Sequence, residues 1–453
     1  MNTLSRRRFL ERAAAYSLGF AGLAKGLSAM GPRTCRMAEQ TGFAGYGPLL
    51  PDPAGLLDLP SGFTYTVLYV QGEPMVDGLI VPGKFDGMCA FPGPKGRVVL
   101  IRNHELIAPD VSAFGAFYEY LNVIPQSDFY DFGQGVTPGI GGTTTLVHEP
   151  GTDRVVTQFL SLAGTLRNCS GGPTPWGSWL TCEETTQKAV GTYTQEHGFV
   201  FEVPVTTVPG RVVPIPLTAM GRFMHEAAAV DPMTGFVYMT EDRPDGLFYR
   251  FRPNVPGQLA QGGVLEALRV LGQPNLNTSN HSPLNQIPVG LDLAVDWVPL
   301  TNVISPNDDL RFQGMAQGAA TFTRGEGMFA ANGSVFFTAM DGGLLLKGQI
   351  WELIPGNNPN GGILRLFTQP NNASVLENAD NITVAPWGDL IICEDGPGVQ
   401  FLVGVTPNGN FYKFARNALN TNEVTGATFS PDGSILYANI RNPGRTLAIT
   451  GPF

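Results

Sequence analysis

The sequence predicts an all-β chain folded as a six-bladed β-propeller with long inserted loops over one face. Three observations predict it. Gly (57) and Pro (37) are dense and follow no collagen-like period, which favours many short strands joined by turns over long helices. Hydrophobic residues make up 43% of the 453 and charged ones only 15%, so the chain can bury a large core and shows few charges to water. A degenerate unit also recurs six times, and repetition of this kind marks a radial or solenoid architecture. The unit is a short strand, a tight turn, a second strand ending in a carboxylate, an interval, and an aromatic-rich third strand.

In chain order, residues 1–29 read as an export signal. Arg6, Arg7 and Arg8 precede Phe9 and Leu10, and a short apolar run over residues 13–24 ends before Lys25. Such a run cannot span a bilayer, which takes about 20 residues. It suits a signal-peptide core, and the arginines mark the twin-arginine type. The expectation is export by the twin-arginine machinery to the periplasm or beyond the cell, with no membrane span in the rest. Residues 30–62 are an N-terminal extension and 63–453 the propeller. A formal net charge of −10 with no basic tract speaks against nucleic acid, because nothing offers to neutralise phosphates. The expected state is a monomer.

The third unit shows the pattern best: residues 226–230 (EAAAV), a turn at 231–235, residues 236–240 ending at Glu241 and Asp242, then 246–251 (GLFYRF). The first runs 86–91, 98–101 to Asn103, His104 and Glu105, then 143–147. The second runs from Cys169 to residue 177, then 179–182 to Glu183 and Glu184, then 197–203. The fourth has 326–330, Asn332-Gly333, 335–340 to Asp341, and 349–353. The fifth has 381–385, 390–393 to Glu394 and Asp395, and 411–414. The last has 423–429, 435–438 and 447–449. Residues 63–70 form a strand placed to close the ring against the last unit. Residues 106–140 and 252–320 read as insertions, and the aromatics of the first predict a packed lid. Radial stacking of such units hides most sheet edges.

In a hairpin, the start of one strand lies beside the end of the next. Radial symmetry should therefore gather the openers Asp86, Cys169, Glu226, Glu326, Asn381 and Glu423 at one channel mouth. The closers Glu105, Glu183, Glu184, Glu241, Asp242, Asp341, Glu394 and Asp395 should join them, with Asn439 and Arg441 from the last unit. Two like charges 4 Å apart repel by about 4 kcal/mol at an effective dielectric near 20. Arg324 and Arg441 are too few to balance such a ring, so bound cations are the economical answer. Carboxylates suit Ca²⁺, and the softer Cys169 thiolate calls for a transition metal beside it. Of the five cysteines (Cys35, Cys89, Cys169, Cys182 and Cys393), Cys182 and Cys393 sit at matching places in apolar strands and read as core. His104 and His225 read as partners orienting the acids that follow them.

Several segments resemble the PhoX-type alkaline phosphatase family: residues 169–184 (CSGGPTPWGSWLTCEE), 221–226 (GRFMHE), 238–242 (YMTED), 323–327 (TRGEG), 380–381 with 393–396, and 429–433 with 449–453. The resemblance implies an exported six-bladed phosphomonoesterase acting on small phosphate esters. Its site would hold two Fe³⁺ ions bridged by a thiolate, with two or three Ca²⁺ alongside. It implies Cys169 as the bridging thiolate and Glu226 and Glu326 as iron-side carboxylates. Glu183, Glu184, Glu241, Asp242, Glu394, Asp395 and Glu423 would complete the metal shells, undivided between iron and calcium. Arg324 would bind phosphate oxygens, where a guanidinium fork fits. One departure is Gly325, where the family more often has proline. The competing expectations are a calcium-stabilised propeller that binds without catalysis, and a calcium-dependent lactonase or esterase.

Overall fold

The computed structural model describes residues 45–356 and 358–453. The signal at 1–29, residues 30–44 of the extension and Cys35 lie outside the described residues. Six sheets, of which the third and fourth are joined so that five are separate, carry most of the chain. Short alternating strands punctuated by Gly and Pro form hairpins, and each hairpin continues into the next strand of its own sheet.

The first sheet orders Phe85–Pro92, Val98–His104, Gly141–Glu149 and Arg154–Thr165, and the second orders Asn168–Pro173, Ser178–Glu183 and Val200–Pro204. The third begins at His225–Val230 and the fourth at Gly325–Ala331. These two merge into one sheet because Asp292–Pro299 pairs with Gly362–Thr368. The fifth begins at Ala379–Val384, and the last orders Val424–Phe429, Leu436–Ile440 and Arg445–Thr450. As expected, Thr64–Val70 pairs with Arg445–Thr450 and completes that sheet.

Two elements differ from the sequence reading. The stretch 252–320, taken as an insertion, supplies two sheet strands, Gly263–Val270 and Asp292–Pro299. Phe401–Val405 is a further strand of the fifth sheet, lying before the predicted one at 411–414. Its FLVGV pattern is apolar almost throughout, so it lacks the polar alternation that betrays a half-exposed strand. Residues 49–60 add two short strands to the outer edge of the fifth sheet. The 106–140 segment packs as expected: Phe114, Leu121, Ile124 and Phe129 bury against Met75, Leu79 and Phe85.

The innermost strands touch in a closed cycle. Phe85–Pro92 contacts Asn168–Pro173, which contacts His225–Val230, then Gly325–Ala331, Ala379–Val384, Val424–Phe429, and so back to Phe85–Pro92. A separate apolar cluster fills each gap between successive units, which gives a propeller-like arrangement. Cys182 and Cys393 are fully buried in two of these clusters, as core. No helix of the described residues is long and apolar enough to cross a membrane.

Candidate metal centre

Each innermost strand opens in the same way. The residue pairing with the end of the second strand is Phe85, Asn168, His225, Gly325, Ala379 or Val424. In the first five units the register slips immediately after it. A bulge of this kind re-aims a side chain away from the sheet face. The re-aimed residues are Asp86, Cys169, Glu226, Glu326 and Asp380, one per unit; Thr425 stands at the sixth position, where the slip comes one residue later.

The residue before each pair is Lys84, Arg167, Met224, Arg324, Asn378 or Glu423, and its carbonyl accepts the backbone N–H of the closing residue. Those closing residues are Glu105, Glu184, Asp242, Met340, Asp395 and Arg441, at 2.9–3.2 Å. Side chains from neighbouring units brace the bulges. Asn103 donates to the Cys169 carbonyl at 3.0 Å, Thr240 to that of Glu326 at 2.6 Å, Thr338 to that of Asp380 at 2.7 Å, and Asn439 to that of Asp86 at 2.9 Å.

The result is a chain of four overlapping ligand groups, each with candidate atoms within 4.8 Å of one another: Asp86, Glu105 and Cys169; Cys169, Glu184 and Glu226; Glu226, Glu326 and Asp380; Asp380, Asp395 and Glu423. Three guanidiniums lie among them. Arg167 pairs with Glu105 and Glu184 at 2.8 and 2.7 Å. Arg324 takes Asp242 in a two-pronged grip and Glu326 at 3.1 Å. Arg441 pairs with Glu105, with Glu423 at 2.7 Å and with Asp86 at 3.4 Å. The acids outnumber the guanidiniums about threefold.

The electrostatics follow from that excess. Burial, reinforced by neighbouring acids, pushes the carboxyls of Glu226, Glu326 and Glu423 well above their usual range. Burial does the same to Asp86, against the opposing pull of Arg441. It lifts Asp380 and Glu184 to about 7 and raises the Cys169 thiol. Glu226 is fully buried, and neither of its oxygens accepts a hydrogen bond. A buried carboxylate left so costs several kcal/mol in order of magnitude, which a bound cation would remove. The donor set of one thiolate among carboxylates fits a transition metal beside a hard oxygen-seeking ion.

Of the residues singled out from sequence, Cys169, Glu184, Glu226, Glu326, Asp395 and Glu423 come together here. Glu183, Glu241 and Glu394 do not. Each is the first acid of a closing doublet, and successive strand residues point to opposite faces. Glu183 accepts from the Leu166, Gly198 and Phe199 amides and from His197 Nδ1 at 2.6 Å. Glu241 accepts from the Leu247 amide and Tyr249 hydroxyl, and Glu394 from the Glu377 amide and Lys413. All three hold their own sheet together. Asp242, the second of its doublet, faces the mouth but is held by Arg324.

Among the openers, Asn381 gives way to Asp380, which it supports through a 3.0 Å hydrogen bond. Glu423 belongs to the row of Arg167 and Arg324. Asp341 lies one place past the closing position, which Met340 occupies with its sulfur 2.7 Å from Arg324 Nη1. Asp380, Arg167 and the bracing Asn103 were missed. Aligning the six units on Arg324–Glu326 would have found two of them, since Arg167 precedes Cys169 by the same two residues and Asn378 precedes Asp380. His104 and His225 are neutral in their burial and hold the carbonyls of Gly83 and Gly221, not the ring acids.

The family model for alkaline phosphatase PhoX matches residues 44–444. Among solved structures, the chain resembles Pseudomonas fluorescens PhoX in complex with vanadate, a transition state analogue, with 18% identity and a TM-score of 0.61 over 88% of this chain and 96% of that one. A Xanthomonas campestris gluconolactonase is more distant, with 10% identity and a TM-score of 0.41 over 90% and 99% of the two chains. A periplasmic gluconolactonase of Pseudomonas aeruginosa has 13% identity and a TM-score of 0.40 over 86% and 96%. No curated protein matches the chain.

Proposed function

The chain belongs to the PhoX alkaline phosphatase family, which are phosphomonoesterases, and from that premise we propose that it is an exported enzyme that hydrolyses small phosphate monoesters at an iron and calcium site in the channel of a six-bladed propeller. The observation that carries the metal reading is the Glu226 carboxylate, buried with both oxygens unpartnered between Cys169 and further acids. Cys169, Glu184, Glu226, Glu326 and Asp380 would hold iron and a shared neighbour, and Asp380, Asp395 and Glu423 a hard ion such as Ca²⁺. When bound, these ions supply the positive charge that a phosphoryl group and its leaving oxygen need and a means of making water nucleophilic near neutral pH.

The protein's own groups provide position and charge. Arg324 binds phosphate oxygens, while Asp242 fixes the plane of its guanidinium from one edge. Asn103, Thr240, Thr338 and Asn439 lock the bulges that aim the ring residues, so the ligands are preorganised by backbone rather than by flexible side chains. A half-buried thiol inside the acid groups favours this reading over a calcium-only binding propeller or lactonase, neither of which has a task for sulfur. Export through the twin-arginine route, to the periplasm or outside the cell, fits the paired arginines of residues 1–29. The test is elemental analysis of protein from an export-competent host, together with turnover of 4-nitrophenyl phosphate. Iron with calcium and turnover support the proposal; full turnover in iron-free protein refutes it.

A further inference from the structure

The row that precedes the ring residues reads Lys84, Arg167, Met224, Arg324, Asn378 and Glu423, and each member accepts the closing amide of its own unit. Lys84, Arg167 and Arg324 share one backbone conformation, each with φ of +48°, a left-handed region that side chains other than Gly seldom occupy. Three cations thus stand at equivalent backbone places in their units.

Where two of them go follows a rule. Arg167, in the second unit, reaches back to Glu105, which closes the first. Arg324, in the fourth unit, reaches back to Asp242, which closes the third. Applied to Lys84 in the first unit, the same reach leads to the residue closing the sixth, which is Arg441. There the pairing meets a cation. The acid of Lys84's own unit, Glu105, is already engaged by Arg167 and Arg441. Lys84 is half-buried, and among the described residues no carboxylate lies within ion-pair distance of its ammonium.

The sixth unit also inverts the arrangement of the second. Where Arg167 faces the closing Glu184 at 2.7 Å, Glu423 faces the closing Arg441 at 2.7 Å. That inversion puts two cations on the border between sixth and first units. In the cycle of inner strands this border stands opposite the one between third and fourth, where Arg324 lies.

We infer that Lys84 forms an anion subsite across the channel mouth from Arg324, at the border where the Phe85 amide donates to the Arg441 carbonyl at 3.3 Å, and that it takes a second negative group carried by the substrate's alcohol. The inference rests on the phosphomonoesterase reading and narrows its substrate class to phosphate monoesters with a further anionic group. An ammonium with no acid partner among the described residues is suited to this, because an incoming carboxylate or phosphate does not have to displace one.

The probes are 3-phosphoglycerate and glycerol 3-phosphate, monoesters of similar size with and without a carboxylate, hydrolysed by metal-loaded full-length protein. The readout is the ratio of their kcat/KM values. In K84M that ratio falls about tenfold, the size of one charge-assisted contact, and K84R restores most of it. K84G, which also relieves the left-handed backbone, shows the same fall, so a folding defect cannot mimic the result. A ratio within twofold of the wild type in both K84M and K84G overturns the inference, as does loss of bound metal in both, which would assign Lys84 to the metal shell. A wild-type protein inactive on both esters refutes the phosphatase reading itself.

Discussion

Arg324 grips Asp242 through both prongs of one guanidinium edge, with Nε–Oδ1 and Nη2–Oδ2 each at 2.8 Å. The two residues belong to different units, so this contact fixes the guanidinium relative to the ring across a unit border. Lysine cannot reproduce the fork. R324K should therefore lower kcat/KM for 4-nitrophenyl phosphate by roughly ten- to a hundredfold, and D242N about tenfold, by loss of charge-assisted hydrogen bonds. Steady-state kinetics with metal content measured in parallel checks this; bound metal should stay near the wild-type level in both.

Cys169 is the one sulfur inside the ligand groups, whereas Cys182 is fully buried among apolar side chains. C169A should lose bound iron and phosphatase activity together. C182A should keep both and lose only about 1 kcal/mol of stability through a small cavity. Elemental analysis beside denaturant melts distinguishes the two, and iron retained in C169A would contradict the assignment.

Glu183 and Glu184 are neighbours in sequence with opposite faces. E183A removes the acceptor of three amides and of buried His197, and should cost about 3–5 kcal/mol, as breaking a buried pair does. E184Q should instead lower metal content with a much smaller loss of stability. Chemical denaturation and elemental analysis of the pair give the contrast directly.

His197 sets a pH limit. Burial disfavours its charge, but Glu183 and Asp131 on either side outweigh this and hold its pKa at about 9, above the usual 6.5. Protonation therefore favours the folded state. The contribution is complete below about pH 6.5 and disappears as pH rises through 9, and it amounts to about 3 kcal/mol in order of magnitude. Stability measured between pH 6 and 10 should fall over that window in the wild type and fall less steeply in H197Q.

Metal removal should matter most at alkaline pH. Burial lifts Asp380 and Glu184 to about 7, so below that pH both stay protonated in the fold and are tolerated. Above pH 7 they ionise beside other buried acids. Chelator-treated protein should melt well below the loaded form at pH 8, with the gap narrowing toward pH 5. Calorimetry of both forms at the two pH values checks this; a gap independent of pH would mean the acids are neutralised some other way.

Much of the fold was legible because strand, turn and carboxylate recur in one order, and a repeating hydrophobic pattern survives even when loops differ in length. What hid Gly263–Val270 and Phe401–Val405 was position and composition: one lay inside an apparent insertion, the other lacked alternation. In the site, Cys169, Glu226 and Glu326 were readable as strand openers. Asp380 was not, because a one-residue error in where a strand starts turns every side chain to the opposite face.

By itself the sequence determined the inventory: six comparable units, an excess of acids at strand ends, one sulfur among them, and too few cations to neutralise them. Only the tertiary structure decided which acid of each doublet looks into the channel. It did so through a bulge at the start of five inner strands and the two-residue alternation at the end of each second strand, which sent Glu184 and Asp395 to the ring and Glu183 and Glu394 back into their sheets. The bulge and the register are set by how each inner strand pairs with the next strand of its hairpin, and the order of residue types along the chain does not record that pairing.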